Sequence, residues 1–448
     1  MKLSQALGLK SAETIAFVGA GGKTSAIATL AKELQPPVVI TTSTHFGKWQ
    51  SGIAEKHIIL SESDKFEEKL LIGEKTTLIT GPVDQTGQLT SLTPDIFTTL
   101  FQTCRKNGAY LLIEADGARQ RPLKVPADYE PVIPPLVDMV VVVAGLDGLG
   151  RILNNDTVHR PELFSRITSL GLGDKINVVH LEHILRSRQG GLKGIPKGAR
   201  RILFLNQAEG ELRKSQGNRL ANALVDVYDR VLVGSMEQPG KEGPVFSAHS
   251  KTAGVILAAG GSDRLGEPKQ LLNWSGKPFV YQVAQTALTA GLDPVIVVTG
   301  AYRAEIESAL VDLPVRFVFN PEWEIGQASS IKAGLNALPE SCDRALFLLS
   351  DQPQISPLLV RQLIERHNTN RNPIIAPMMR VQAGNPVLFG RETFDSLQEV
   401  SGDKGGRAIF NNFKVDYLPW VDDRNLLDVD QKMDLHNLVE QFFGLGSE

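Results

Sequence analysis

Hydrophobic and polar positions along this chain follow two alternating rhythms. Continuous apolar runs at Ile15–Val18, Tyr110–Ile113, Val140–Val143, Ile202–Leu205, Val255–Ala258, Val295–Val298 and Ala345–Leu349 are short and show no polar alternation. Such runs suit parallel strands covered by helices on both faces. Between them lie segments of helical period: Ile27, Leu30, Ala31 and Leu34 share one face, and Val280, Val283, Ala284, Ala287 and Leu288 share another. Strand and helix patterns that alternate in this way predict an α/β class. Two of the runs lead into a glycine-rich turn and then a helix, the first through Gly19–Thr24 and the second through Ala259–Lys269, so each opens a domain. The stretch from Gly234 to Ser250 is rich in Gly, Pro and polar residues and has neither period. The expected organisation is therefore a domain over 1–235, a linker over 236–251 and a second domain over 252–448.

Composition narrows the function classes. With 448 residues, 42% of them hydrophobic, the chain can bury more than one core. Its 47 Lys plus Arg against 50 Asp plus Glu give a net charge of -3, without the basic excess that a polynucleotide demands, so no nucleic-acid partner is expected. The apolar run Val140–Leu146 is far shorter than the roughly 20 residues of a membrane span and reads as a buried strand, so no membrane partner is expected. Cys104 and Cys342 have no CxxC neighbour, and the segment Met1–Glu13 lacks a signal-length apolar stretch, which together point to a cytoplasmic protein.

The second half carries the denser chemistry. Leu257, Ala258, Ala259, Gly260, Gly261 and Ser262 are followed at fixed offsets by Arg264 and Lys269. Small side chains let backbone N–H groups close around phosphates, and the two cations can meet their charge. After the run Ala345–Leu349 comes Ser350-Asp-Gln-Pro353. A carboxylate at the carboxyl end of a parallel strand lies in the crevice where open α/β sheets bind ligands, and Asp351 there can hold Mg²⁺. Standing alone, Asp351 would read equally well as a cap for the helix that begins near Pro357.

Together, Leu257–Lys269 with Gln270-Leu-Leu272 and Asp351-Gln-Pro353 resemble the MobA-like nucleotidyltransferases, and among them the molybdenum cofactor cytidylyltransferases. The likeness continues through Asn320-Pro-Glu-Trp323, Gly326–Ser330, Gly384-Asn-Pro-Val387, Ser401–Arg407 and Asp428-Val-Asp430. Gln327 and Ala328 depart from the family's usual Met and Ser, as does Gln431-Lys-Met433 from its Thr-Pro-Glu. The resemblance implies a Rossmann-like fold and transfer of CMP from CTP to molybdopterin with release of pyrophosphate. Leu257-Ala-Ala-Gly260 and Gln352 look like the cytidylyl form of the motif rather than the guanylyl form. It further implies Arg264 and Lys269 on the triphosphate, Asp351 on Mg²⁺ with Asp430 as a second carboxylate, and Asn385 with Ser401–Arg407 toward the pterin. On the residues alone, Asn385 reads equally as a turn residue before Pro386, and Lys404 and Arg407 as a solvated helix start.

In the first half, Gly19, Gly21, Gly22, Lys23 and Thr24 stand between a strand and a helix, the context of a phosphate-binding loop. The standard GxxxxGK[ST] spacing would need Gly where Phe17 stands, so the loop is atypical. The run Tyr110–Ile113 ends in Glu114-Ala-Asp116, two carboxylates that can reach one Mg²⁺ or instead orient the loop Ala118–Lys124. Asn206-Gln-Ala-Glu209 is a loose likeness of the base-reading Asn-Lys-x-Asp of GTP-binding domains. An ordinary loop after a strand explains it as well, and guanine recognition does not follow from the sequence. His45, His159 and Arg160 are further polar candidates, although a lone His is more often structural, and no metal-ligand cluster emerges. Val18–Thr24, Thr41–His45, Glu114–Ala118, Gly145–Gly150 and Val158–Glu162 resemble the YqeC family over about residues 10 to 235. That resemblance implies an accessory role for selenium-dependent molybdenum hydroxylases, an assignment resting on genomic association.

The combined expectation is a P-loop-like parallel-sheet domain followed by a Rossmann-like nucleotidyltransferase domain. Its expected small-molecule partners are CTP and molybdopterin, and a molybdenum hydroxylase apoenzyme would receive the product. Two other readings stay open: a nucleotidyltransferase using GTP or another phosphate acceptor, and a non-catalytic cofactor carrier or chaperone.

Overall fold

The computed structural model describes residues 1–47, 52–61, 73, 75–262, 266–422 and 424. The chain divides into two compact units, Met1–Ser250 and Lys251–Glu448.

The first unit is built on a nine-stranded sheet. Its order is Val245–His249, Arg230–Gly234, Arg200–Asn206, Met139–Gly145, Thr14–Gly19, Tyr110–Glu114, Val38–Thr42, Thr77–Thr80 and Lys56–Ile59. Every neighbouring pair is parallel except the first. Successive residues of the central strand face opposite sides, as the pleat requires. Ala16 and Val18 pack with Leu100, Phe164, Leu181 and Leu220 of helices on one side. Ile15 and Phe17 pack on the other side with Ala26, Ile27 and Leu30 of the helix Lys23–Glu33. Two-sided coverage explains why these strands read as unbroken apolar runs, and why Phe17 is a fully buried strand residue rather than the start of the phosphate loop.

The structure corrects the expected linker over 236–251. Val245–His249 within it is an edge strand paired antiparallel to Arg230–Gly234, and the unit boundary falls after Ser250. The strand's polar residues mask it in the sequence, and their partners come from the helix Gly210–Leu224. Ser247 Oγ donates to Asn218 Oδ1 at 2.7 Å, and the His249 ring lies 2.8 Å from Asn222 Oδ1.

The second unit holds an eight-stranded sheet. Arg316–Phe319, Val295–Thr299, Ala253–Ala258 and Arg344–Leu349 run parallel, and Val387–Gly390 joins the last of them antiparallel. Ile256 packs with the helices Phe279–Thr289 and Pro357–Asn370 on one face, and Val255 packs with Gln327–Asn336 and Phe394–Glu399 on the other. Gly334 lets its helix sit directly on the sheet, since a Cβ there would lie 2.5 Å from Val255 Cγ1. Both units are thus doubly wound α/β layers, with a glycine-rich loop leaving the carboxyl end of a central strand. No helix among the described residues is long and apolar enough to cross a membrane.

Candidate functional site

In the second unit, register decides which groups meet. Leu257 pairs with Leu349, so the loop Ala258–Ser262 and the turn Ser350–Asp351 emerge side by side at the carboxyl edge of the sheet. The loop is held from behind by Gln270, only 4% exposed, whose Nε2 donates to the Gly260 carbonyl at 2.8 Å. Tyr302 donates its hydroxyl to the Gly261 carbonyl at 3.0 Å. In a trans peptide the following N–H points the opposite way, so the amides of Gly261 and Ser262 face away from these anchors. Ser262, at φ +56°, closes the loop by accepting the Lys269 backbone N–H at 3.0 Å. Lys269 is thereby fixed at the start of the turn Lys269–Leu271. Arg264 and Asp430 lie outside the described residues.

Asp351 is not a helix cap. The helix Pro357–Asn370 takes Ser356 for that purpose, its Oγ accepting from Leu359 N at 3.2 Å. Next to the loop, Leu257, Gln327, Asn385, Gly405, Gly406 and Arg407 border a cavity of about 220 Å³ whose floor is Ile331, Phe347 and Phe389. The segment Ser401–Arg407 is tied to the helix Gln327–Asn336 through Ala328 N, which donates to the Gly402 carbonyl at 3.1 Å. Lys404 is solvent-exposed. Buried Asn320 braces the start of the helix Gln327–Asn336 by donating to Ser329 Oγ at 2.8 Å and Ser330 Oγ at 3.0 Å.

The first unit gathers its predicted residues tightly. Lys23 Nζ donates to the Gly19 carbonyl at 2.6 Å and lies 3.0 Å from Asp116 Oδ1. Asp116 Oδ2 accepts the Gly19 N–H at 3.0 Å. Thr24 donates its hydroxyl to Glu114 Oε2 at 2.8 Å. The two carboxylates therefore diverge, Glu114 to the hydroxyl and Asp116 to the lysine. Asp116 does orient the following loop, but through Lys124 Nζ at 2.8 Å rather than through Arg119 or Arg121. Lys124 also meets Glu130 at 2.8 Å, and Glu130 meets Arg160 at 2.8 Å, so a chain of alternating charge runs inward from the surface. Burial raises the Glu114 carboxyl, an effect opposed by Lys23 and Thr24. Burial would also raise Glu130, yet Arg160 and Lys124 bring it down to about 2. His159 is pushed down to about 4 by burial and by the cations Arg160, Lys124 and Arg119. His45 sits on a separate two-stranded ribbon, 3.5 Å from Asp84.

At the helix Lys23–Glu33, the first N–H groups have no acceptor within the helix itself, and a helix start of this kind is a common setting for an anion. Gly22 is at φ +121°, and a Cβ there would collide with Asn206 Nδ2 at 2.3 Å. Sequence reasoning did not single out Lys124, Glu130 or the contact of Asn206 with the phosphate loop, because their partners are remote in the chain. Gln270 was visible only as part of a matching segment. Among the described residues no group of three His, Cys, Asp or Glu forms a metal cage. Mg²⁺ needs less, since one or two carboxylates plus phosphates and water complete its shell. Asp351 in one unit and Glu114 beside the Thr24 hydroxyl in the other fit that donor set.

Residues 15–162 match the family model described as YqeC protein, and residues 254–417 match that of the MobA-like NTP transferase domain. The chain is 32% identical over 225 residues to the uncharacterized protein YqeC of Escherichia coli K12, covering 46% of this chain and 82% of that one. It is 32% identical over 197 residues to nicotine blue oxidoreductase of Paenarthrobacter nicotinovorans, covering 42% of this chain and 95% of that one. A probable molybdenum cofactor guanylyltransferase of Bacillus cereus is 29% identical over 143 residues, covering 32% of this chain and 65% of that one.

Proposed function

Because the chain belongs to the YqeC family through its first unit and to the MobA-like nucleotidyltransferases through its second, we propose that it transfers CMP from CTP to molybdenum-bearing molybdopterin. The products are the cytosine dinucleotide cofactor and pyrophosphate, and the first unit is a nucleotide-binding accessory domain. The observation that carries this reading is the adjacency of three features: the anchored loop Ala258–Ser262, the Asp351 turn on the neighbouring strand, and the cavity that Asn385 and Arg407 border.

In the reaction, an oxygen of the acceptor's terminal phosphate attacks the α-phosphorus of CTP in line. A new P–O bond forms to that phosphorus, and the bond to the β-phosphate bridging oxygen breaks as pyrophosphate leaves with its electron pair. Such transfer depends on positioning and on neutralising charge, with no covalent enzyme intermediate. The amides of Gly261 and Ser262 bind the triphosphate, and Lys269 meets the charge that develops on the leaving group. Mg²⁺, held by Asp351 together with the substrate phosphates, would supply further charge neutralisation. Asn385, Gly405, Gly406 and Arg407 seat the acceptor, with the Arg407 guanidinium suited to its phosphate. The Leu257-Ala-Ala-Gly260 form of the loop supports CTP over GTP. The first unit's phosphate loop, with Lys23, Thr24 and Glu114, supports nucleotide binding, and a molybdenum hydroxylase apoenzyme is the proposed recipient of the cofactor.

Lys269→Ala and Asp351→Ala test the assignment. Each is expected to lower CTP-dependent pyrophosphate release by at least about 100-fold while the thermal midpoint stays near that of the parent. Wild-type turnover in both variants would remove these residues from the mechanism.

A further inference from the structure

The segment Asn206-Gln-Ala-Glu209, which its sequence leaves as an ordinary loop, is stitched into the edge of the phosphate loop. Asn206 is 2% exposed; its Nδ2 donates to the Gly21 carbonyl at 2.7 Å, and its Oδ1 accepts from Met236 N at 3.0 Å. Ala208 N donates to the Gly234 carbonyl at 3.0 Å. Fully buried Ser235 donates its hydroxyl to Glu209 Oε1 and accepts from Gln238 N at 2.8 Å. The turns that follow two adjacent strands, Arg200–Asn206 and Arg230–Gly234, are thus locked together beside the loop that holds Lys23.

Two features of this built corner are unexplained by packing. Gln207 takes the left-handed conformation, at φ +60°, and its buried Oε1 has no hydrogen-bond partner among the described residues. It lies flat on Gly145, where a Cβ would come within 2.1 Å of that oxygen. A buried acceptor without a donor is costly unless a ligand or water completes it. Glu209, meanwhile, is oriented through one carboxylate oxygen by Ser235, while the other makes a long ion pair to Arg213 Nη1 at 3.8 Å rather than a hydrogen bond.

We propose that this corner is the base-recognition site of the first unit and that it takes a guanine nucleotide, read by the Glu209 carboxylate. The inference rests on the reading of Gly19–Thr24 as a triphosphate site. A carboxylate only accepts hydrogen bonds, so it selects an edge with adjacent donors. Guanine offers its N1–H and 2-amino group side by side. Adenine and cytosine each pair one amino donor with a ring-nitrogen acceptor, which repels the carboxylate. Asn206 fixes the spacing between the base corner and the phosphate loop, and Gln207 Oε1, buried against Gly145, is the acceptor left for a water or a ligand donor to complete. The two units then use different nucleotides, guanine in the first and cytosine in the second.

Calorimetry on the full chain with Mg²⁺ and non-hydrolysable GTP, ATP and XTP analogues tests this, with Lys23→Ala marking the part of the binding that belongs to the first unit. The Lys23-dependent site is expected to prefer GTP over ATP by at least about 10-fold. Glu209→Gln is expected to weaken GTP by a similar factor and to strengthen XTP, because the amide N–H can donate to the 2-oxo group of xanthine. Equal Lys23-dependent affinity for GTP and ATP, or unchanged GTP affinity in Glu209→Gln, overturns the base assignment and leaves the phosphate loop standing. If no nucleotide binding responds to Lys23→Ala, both readings fall.

Discussion

Among the described residues of the first unit, the buried charges keep company. Lys23, Asp116, Lys124, Glu130 and Arg160 alternate in sign along one connected path, which offsets a desolvation cost that none of them could meet alone. His159 stands beside three of the unit's cations, and its folded pKa of about 4 is below the 6.5 of the free group. The unfolded chain therefore binds the proton more readily between those values. The stability that His159 contributes is complete above about pH 6.5 and is lost as pH falls toward 4. The thermal midpoint of the first unit should decline through this window in the parent protein and decline less in His159→Asn. Parallel midpoint curves for the two proteins would show that His159 is not the titrating group. Lys23, Thr24, Glu114 and Asp116 were legible because glycine-flanked Lys-Thr and a carboxylate at a strand end are local patterns. Lys124 and Glu130 were not, since they matter only through ion pairs that the fold brings together.

Strands buried on both faces announce themselves, and edge strands do not. Thr14–Gly19, Met139–Gly145 and Ala253–Ala258 lie within sheets covered on both sides, so their apolar runs predicted them within one or two residues. Val245–His249 follows a Gly- and Pro-rich turn and carries Ser247 and His249, which helix side chains satisfy, so composition alone reads it as linker. The consequence is measurable. A fragment ending at residue 235 leaves Arg230–Gly234 as a bare edge and strips Asn218 and Asn222 of their partners, whereas one ending at residue 250 keeps the whole sheet. The shorter fragment should melt lower by about 2 kcal/mol or more of unfolding free energy, and it should aggregate through its open edge. Equal urea midpoints for the two fragments would contradict the role given to that strand. The cavity proposed to seat the acceptor was legible only in part: Gln327, Asn385 and Arg407 lay in matching segments, while its floor of Ile331, Phe347 and Phe389 is brought together only by the fold.

Two units with separate cores on one chain invite a functional reason for their fusion. Covalent linkage raises the effective concentration of one site's product at the other, without requiring any new contact. If an intermediate passes between them, separately expressed units mixed at low concentration should mature the proposed hydroxylase recipient more slowly than the intact chain, and equal rates would end the handover idea. The central claim concerns what the second unit makes. Incubating the chain with molybdenum-bearing molybdopterin, Mg²⁺ and equal amounts of CTP, GTP and ATP, then identifying the pterin product by mass spectrometry, addresses it most directly. The cytosine dinucleotide should predominate, formed in step with pyrophosphate and absent with Asp351→Ala. A guanine dinucleotide as the main product, or an unmodified pterin after all CTP has been exposed to the enzyme, would contradict the account.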